Sequence, residues 1–183
     1  FGAMNAQTAK STNGATANIT LSGVNIDASG NDTNKCAFRI AEGSGPVNIT
    51  LADGTTNTLK SGENCAGLQK ETTADSTMLT ISGTGTLNAT GGARGAGIGG
   101  VHSKDVSYIT IDSGTVNATG GINAAGIGSG DGWNSTTSSY DATNGSHITI
   151  KGGTVTATDG GTCAAGVWRL KPCQGWADRG GNW

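Results

Sequence analysis

The sequence has few of the residues that build an ordinary globular core. Only 4% of its 183 residues are aromatic and 13% are charged, against about 25% charged in a typical domain. A thick core of large side chains is therefore excluded. The composition does not fit intrinsic disorder either, because disorder goes with high net charge and the formal net charge here is −2. A repeat fold with a narrow interior fits both observations.

A surplus of basic residues and a long apolar run are also missing. The chain has 11 Lys and Arg against 13 Asp and Glu, so a nucleic acid partner is not expected. No stretch approaches the roughly 20 apolar residues that cross a bilayer, so membrane insertion is not expected. The opening Phe1-Gly2-Ala3-Met4 has no signal-peptide pattern, and we expect the chain to be part of a larger polypeptide.

What the sequence does contain is internal repetition. A phrase that alternates an apolar residue, Thr and a second apolar residue begins at Ile19, Ile49, Leu79, Ile109 and Ile148. A second phrase, which alternates Thr or Asn with apolar residues, begins at Thr86, Thr115 and Thr154. A third phrase closes each copy and begins at Phe38, Ala66, Ala96, Ala125 and Ala165. Repetition at a period of about 30 residues indicates a solenoid.

The period-two alternation within each phrase predicts short strands with one buried face. Three strands per copy, separated by Gly and Asn corners, predict an all-β protein, a right-handed parallel β-helix of about five coils of roughly 30 residues. A propeller is disfavoured because its blades need four strands and an aromatic signature. The interior is expected to hold two aliphatic columns, Ile19/Ile49/Leu79/Ile109/Ile148 and Leu87/Val116/Val155.

Two segments interrupt the repeat. The last interval is nine residues longer than the others, and the extra residues fall within 131–141. Insertions in solenoids form loops, often on the binding face. The other departure is the tail at 167–183, which loses the Thr, Asn and Gly character. Residues 1–166 are thus predicted to form one β-helix domain, with the repeat starting near 17. The tail is either a C-terminal cap or an extension that is not native.

The candidate ligand-binding residues are aromatic and small polar side chains. Thr20, Thr50, Thr80, Thr110 and Thr149 are expected to form an outward ladder on the first strands, and Asn117 and Thr119 belong to a second polar array. The insertion adds Asp131, Trp133, Asn134 and Tyr140. Aromatic rings stack on sugars while amides and carboxylates bond sugar hydroxyls, so these six residues predict a polysaccharide site. Outward Thr also simply favours soluble strands, and an ice-binding face is a further alternative.

No catalytic or metal centre is predicted. The acidic residues do not recur at equivalent positions of the repeat. The position of Asp112 is occupied by Ser82 in the copy before it and by Lys151 in the copy after it. Paired-carboxylate hydrolysis needs two acids at a fixed separation. His102, Lys104 and Asp105 are close in sequence without matching a catalytic or metal-binding spacing. No cofactor is expected, and calcium stays open although no group of acids supports it.

The four cysteines predict two disulfide bonds in an oxidising compartment. Cys36 stands four residues before Ile40 and Cys65 three residues before Leu68, which places them at nearly the same corner of adjacent coils. Neighbouring coils bring Cα atoms within the roughly 7 Å that a disulfide requires. Cys163 and Cys173 are expected to form the other bond and to anchor the tail. Reduced, buried cysteines are the alternative.

The run T-V-N-A-T-G-G-I-N-A-A-G-I-G-S-G at 115–130, with its copies, resembles the Gly/Thr-rich β-helical repeats of bacterial secreted and cell-surface proteins. These include β-helical carbohydrate-binding modules of plant-polysaccharide-degrading bacteria. The resemblance covers residues 17 to 166. It implies an extracellular or cell-surface, non-catalytic module that holds an enzyme or a cell on a plant cell-wall glycan.

Two other functions remain open at this point. A structural stalk or adhesin repeat is favoured if the insertion binds nothing. An enzyme of the polysaccharide lyase type is the second alternative, and the scattered acids count against it.

Overall fold

Short strands alternate with glycine-rich corners along the chain. The computed structural model describes residues 7–9, 14–30, 33–134, 136–140, 143–161 and 167–168. The strands up to the middle of the chain are β1 (Gln7–Ala9), β2 (Ala17–Leu21), β3 (Asn25–Asp27), β4 (Phe38–Ile40), β5 (Val47–Leu51), β6 (Thr56–Lys60), β7 (Leu68–Lys70), β8 (Leu79–Gly83) and β9 (Thr86–Thr90). The later strands are β10 (Ile98–Gly99), β11 (Val106–Ile111), β12 (Thr115–Thr119), β13 (Ile127–Gly128), β14 (Trp133–Asn134), β15 (Ser139–Tyr140), β16 (Gly145–Ile150), β17 (Thr154–Thr158) and β18 (Val167–Trp168). A single 3-10 turn, Asp75–Thr77, is the helical element of the described chain.

Three parallel sheets form the walls of the solenoid. Sheet A has the strand order β1-β4-β7-β10-β13-β18, sheet B has β16-β11-β8-β5-β2, and sheet C has β17-β12-β9-β6-β3. The chain visits sheets B, C and A in turn and then begins the next coil directly on top of the last. The predicted all-β parallel helix with three short strands per coil is confirmed.

The three sheets enclose one narrow interior of small and medium aliphatic side chains. Strand β9 shows the pattern, because Leu87 and Ala89 are buried while the residues on either side of each are partly exposed. Leu87 pairs with Val116 of the next coil, and Val116 pairs with Val155 of the coil after that, as the repeat predicted. Every residue pair of this stack keeps its register, so each coil adds a few apolar groups to a continuous core.

The predicted column on the first strands is wrong at one step, from Ile49 to Leu79, whereas Ile19 stacks on Ile49 and Leu79 continues to Ile109 and Ile148 as predicted. Ile49 pairs with Ile81 rather than Leu79, and Ile81 then pairs with Ile111. The segment after β7 includes the 3-10 turn and shifts the next coil by two residues. A shift of two keeps every apolar side chain inside, because side chains alternate with period two. The same shift pairs Thr50 with Ser82.

The predicted outward Thr ladder is therefore two shorter ladders. Thr20 continues to Thr50, whereas Thr80 continues to Thr110 and Thr149 on a neighbouring position. Thr110 is also buried, and its Oγ1 lies 3.9 Å from the sulfur of Met78. An unbroken Thr face, which an ice-binding or sugar-binding reading of this sheet needs, is absent from the described part of sheet B.

Glycine at one corner lets sheets C and A touch backbone to backbone. A Cβ at Gly97 would lie 2.6 Å from the amide nitrogen of Thr119 and 2.6 Å from the carbonyl oxygen of Gly126. Such contacts leave no room for any side chain, so the Ala-Gly-apolar phrase is a packing requirement. At Gly97 the backbone that leads into sheet A therefore lies directly against the end of strand β12 of sheet C.

The solenoid reaches into the segment that the sequence assigned to the tail. Val167 and Trp168 pair with Ile127 and Gly128, and they form the last strand of sheet A. The rest of the predicted tail lies outside the described residues. At the other end, β1 adds a strand to sheet A before the predicted start of the repeat near 17.

Candidate functional site

The insertion forms a β-hairpin at the corner between sheets A and B. Its two strands pair Trp133 with Tyr140 and Asn134 with Ser139 in antiparallel fashion. The side-chain oxygen of Asn134 accepts hydrogen bonds from the backbone N–H groups of Thr136 and Thr137, at 3.0 and 3.3 Å. The Asn134 amide therefore shapes the turn, and Trp133, which is half-buried, lies on the strand leading into it.

Asp131 fixes the start of the hairpin from inside. Its side chain is 4% exposed, and its Oδ1 accepts a hydrogen bond from the Trp133 N–H at 3.1 Å. Burial raises the pKa of this carboxyl, against the opposing effects of that hydrogen bond and of the nearby His102 and Arg94. A carboxylate in this position holds the loop that carries Trp133.

A groove opens on sheet A next to this hairpin. One part of it is a cavity of about 350 Å³ lined by Asn34, Cys36, Arg39, Asn64, Cys65, Gln69, Glu71, Val101 and His102. Arg39 and Gln69 are the outward residues of paired positions on β4 and β7. The equivalent outward positions of the next two strands are Gly99 and Gly128. This outward row therefore carries side chains on β4 and β7, where the groove lies, and glycine on β10 and β13.

The floor of the groove is a chain of hydrogen-bonded polar groups. Gln69 donates through Nε2 to Glu71 Oε1 at 2.6 Å, and Arg39 donates through Nη2 to Glu71 Oε2 at 2.6 Å. The Cys36 thiol donates to Gln69 Oε1 at 2.8 Å. Gln69 itself is only 2% exposed. Each member of the chain thus has its orientation set by its neighbours.

The opposite wall is built by the loop after β10. The backbone N–H of His102 donates to the Asn64 carbonyl at 3.1 Å, and Asn64 Nδ2 donates to Asn34 Oδ1 at 2.9 Å. The ring Nδ1 of His102 lies 2.9 Å from the carbonyl oxygen of Asp131. A carbonyl can only accept, so Nδ1 carries the proton and links this wall to the base of the hairpin.

A second cavity continues the groove toward the hairpin. It has a volume of about 450 Å³ and is lined by Glu42, Glu71, Thr72, Thr73, Ser103, Lys104, Asp105 and Thr143. Glu71 belongs to both cavities, and Ser103 Oγ lies 3.5 Å from the Trp133 carbonyl oxygen. Groove and hairpin are therefore parts of one surface, which we call the sheet A surface.

Cys36 and Cys65 meet in the groove but are free thiols in the structure. Their predicted neighbourhood on adjacent coils is correct, and the predicted bond is not formed. A hydrogen bond from Cys65, together with the positive charge of Arg39, lowers the pKa of the Cys36 thiol. The same hydrogen bond and burial raise the pKa of Cys65. The predicted partners Cys163 and Cys173 lie outside the described residues.

Neither a metal cluster nor a membrane helix is found in the part of the chain that the structure describes. No group of three or more His, Cys, Asp or Glu side chains there could hold a metal ion. No helix in that part is long and apolar enough to span a bilayer.

Sequence comparison adds a family to this geometry. The model of a family described as carbohydrate-binding domain-containing protein matches residues 2–132, well over half of the chain. The chain belongs to this family. A model of a beta helix repeat also matches residues 148–167, at the last coil. No significant match was found among curated proteins or among solved structures.

The carbohydrate-binding domain brings some of its predicted site residues together and separates others. Asp131, Trp133, Asn134 and Tyr140 share the hairpin at the corner between sheets A and B. Asn117 and Thr119 lie on β12 in sheet C, which is the wall away from that corner. One site cannot use both groups at once. Within the hairpin, Trp133 and Tyr140 are the aromatic residues, whereas Asp131 is buried.

Sequence reasoning missed the residues that line the groove of the carbohydrate-binding domain. Arg39, Gln69 and Glu71 come from different coils, and their approach depends on strand register. One signal was available in the repeats. At its outward position the third phrase carries Arg39 and Gln69 in its first two copies and Gly99 and Gly128 in its third and fourth copies. Side chains that replace glycine on an outward position mark a surface with a different use.

Proposed function

We propose that the chain is a non-catalytic polysaccharide-binding module of a secreted or cell-surface bacterial protein, with a plant cell-wall glycan as its ligand. The observation that carries the proposal is the position of Trp133, on a hairpin beside a groove lined by amide and charged side chains. An aromatic ring beside polar groups is the arrangement that sugar rings and their hydroxyls require. Membership of the carbohydrate-binding family supports the same conclusion.

The state of the carboxyl groups supports a module without catalysis. A general acid needs a raised pKa and access to the reacting bond. Burial raises the pKa of Asp131, but this group is 4% exposed and accepts the Trp133 N–H. Glu71, in the groove, is held by Arg39 and Gln69. Asp131 is thus closed to a substrate, and both carboxyl oxygens of Glu71 already accept hydrogen bonds from side chains.

Affinity electrophoresis against a panel of plant polysaccharides tests the proposal. The parent chain should be retained by at least one neutral or acidic plant glycan, and an assay of released sugars should stay at background. Trp133→Ala should weaken retention about thirtyfold, since loss of an anchor costs about 2 kcal/mol or more and 1.4 kcal/mol is tenfold. Tyr140→Ala should act in the same direction with a smaller effect.

The control is Ile122→Ala, which removes an apolar side chain that is 63% exposed on the corner between sheets C and A. It should bind as the parent does, and all variants should keep the parent's thermal unfolding. Absence of retention for every glycan would contradict the proposal and favour a structural stalk or adhesin repeat. Released sugars would instead indicate a lyase-type enzyme.

A further inference from the structure

We infer that the groove on sheet A binds an uncharged sugar unit of the polysaccharide, through Arg39 and the amides of Asn34 and Asn64. This inference rests on the proposed function and assigns a second contact region beside the Trp133 hairpin. The groove joins the hairpin through Ser103 and His102, so a single glycan chain can reach both.

The groove is preorganised before any ligand arrives. Arg39 Nη2 donates a hydrogen bond to Glu71 Oε2 at 2.6 Å, and Gln69 Nε2 donates one to Glu71 Oε1 at 2.6 Å, so Gln69 orients Glu71 and Glu71 orients Arg39. Because Gln69 is 2% exposed, its own orientation is set by the solenoid. A guanidinium has five N–H donors, and Glu71 accepts one of them in the structure. Arg39 therefore presents a fixed set of donors, and fixing them in advance lowers the entropy cost of binding.

The groove offers both donors and acceptors, as sugar hydroxyls require. Asn64 donates one amide proton to Asn34 Oδ1 at 2.9 Å, which keeps the two amides side by side on the groove wall. An amide has two donor protons and an acceptor oxygen, so the pair retains further capacity of both kinds. His102 donates a hydrogen bond from Nδ1 to the Asp131 carbonyl. The ring Nε2 lies 3.4 Å from the Ser103 hydroxyl, which adds a further polar pair at this end of the wall.

The charges of the groove favour an uncharged ligand. Arg39 is already paired with Glu71. The adjoining cavity adds Glu42 and Asp105, with Lys104 as its basic residue. The groove as a whole thus carries three carboxylates against two cations. The carboxylate of a uronate sugar would be repelled by this net negative charge, whereas a neutral sugar would not be repelled.

The test compares Arg39→Ala with Lys60→Ala in the full chain. Both variants remove one cation from a surface ion pair, Arg39 with Glu71 and Lys60 with Asp27, and the two side chains are 44% and 48% exposed. Lys60 lies on sheet C, away from the groove. Retention is measured by affinity electrophoresis with arabinoxylan, xyloglucan, galactomannan and polygalacturonate. Asn34→Ala is the second groove variant, and thermal unfolding checks that each variant folds.

We expect Arg39→Ala to weaken retention by the bound neutral glycan about tenfold, as the loss of a hydrogen bond to a charged group predicts. Retention of Lys60→Ala should stay within about twofold of that of the parent. Polygalacturonate should retain the parent less strongly than the neutral glycan does. If the parent binds and both groove variants bind equally well, the groove assignment falls while the proposed function stands. Stronger retention by polygalacturonate would overturn the uncharged ligand. No retention of the parent by any polymer would overturn the proposed function itself.

Discussion

Sheet C and sheet A rest on the same interior but present different surfaces. On sheet C, Thr86, Thr115 and Thr154 stack in register, and so do Asn88 and Asn117 beside them. On sheet A the outward row changes from Arg39 and Gln69 to glycine within two coils. The first surface repeats and the second does not, although both belong to the same coils.

The difference separates two uses of a repeat. A residue that recurs in every coil is explained by what every coil needs, which is β-propensity, solubility and a packed interior. Arg39, Glu71 and Trp133 have no counterpart in the other coils, so the needs of the solenoid do not explain them. We therefore expect the shared interior to support both surfaces and the irregular surface alone to bind ligand.

The largest effect is expected inside, where the two sheets share one core. Ile109→Ala should lower the free energy of unfolding by roughly 2–5 kcal/mol through lost transfer energy and a residual cavity. Its side chain is 0% exposed. Thr119→Ala, on the outward face of sheet C, should change it by about 0.5 kcal/mol or less. Urea unfolding of both variants measures this, and equal losses would show that the assignment of inward and outward faces is wrong.

Lys70 makes the interior of sheet A differ from that of sheet C. It is fully buried at the position that pairs with Ile40, and its Nζ donates to the Thr72 carbonyl at 2.5 Å. Burial lowers its pKa to about 8. Because the folded state binds fewer protons than the unfolded state between that value and 10.5, stability should rise with pH across this interval.

The measurement compares the parent with Lys70→Met by urea unfolding at several pH values. Relative to Lys70→Met, the parent should gain roughly 2–3 kcal/mol between pH 7 and about 10.5, at 1.36 kcal/mol per pKa unit. Titration of the other groups is common to both proteins and cancels in the difference. A difference that does not vary with pH would show that Lys70 is solvated in the folded protein.

The strand architecture could be predicted from sequence, but the stacking register only in part. On sheet C the Thr phrases at 86, 115 and 154 stack as their sequence similarity predicts. On sheet B the similarity of Ile49 to Leu79 is misleading, because Ile81 is equally apolar and equally inward. A two-residue shift leaves the in-and-out pattern unchanged, so the pattern cannot detect it. What decides the register is the segment between β7 and β8, which has no copy in other coils.

The hairpin could be located from sequence and the groove could not. The insertion with Trp133 can be recognised from the sequence because it lengthens one interval between copies by nine residues. The contact of Arg39 with Glu71 joins residues 32 apart, and the wall residue His102 comes from a third coil. Such a site depends on the register, which the alternation alone leaves open. The prediction grouped Asn117 and Thr119 with Trp133, although they belong to the second phrase and the insertion follows the third, so they lie on a different wall.

A smaller difference is expected between the alkylation rates of the two thiols. Iodoacetamide should label Cys36 faster than Cys65 in the folded protein. The pKa of Cys36 is lowered and that of Cys65 is raised, and Cys65 is the more buried of the two. The thiolate is the reactive form, so both effects act in the same direction. Time-resolved mass spectrometry of tryptic peptides measures the two rates. Failure to label either residue after denaturation without reductant would show that they form a disulfide.

The smallest effect is expected on sheet C. Asn117 donates a hydrogen bond to Asn88 Oδ1 at 2.9 Å across neighbouring coils, and it is only partly buried. Asn117→Ala should therefore cost about 0.5–1.5 kcal/mol of stability, the net value of one hydrogen bond. Combined with Thr119→Ala, it should leave polysaccharide retention unchanged, because the hairpin and the groove lie on other walls. Affinity electrophoresis beside Trp133→Ala measures this directly. If the sheet C variant loses retention and Trp133→Ala keeps it, the regular Thr and Asn surface is the binding face, and the irregular side chains of sheet A need another explanation.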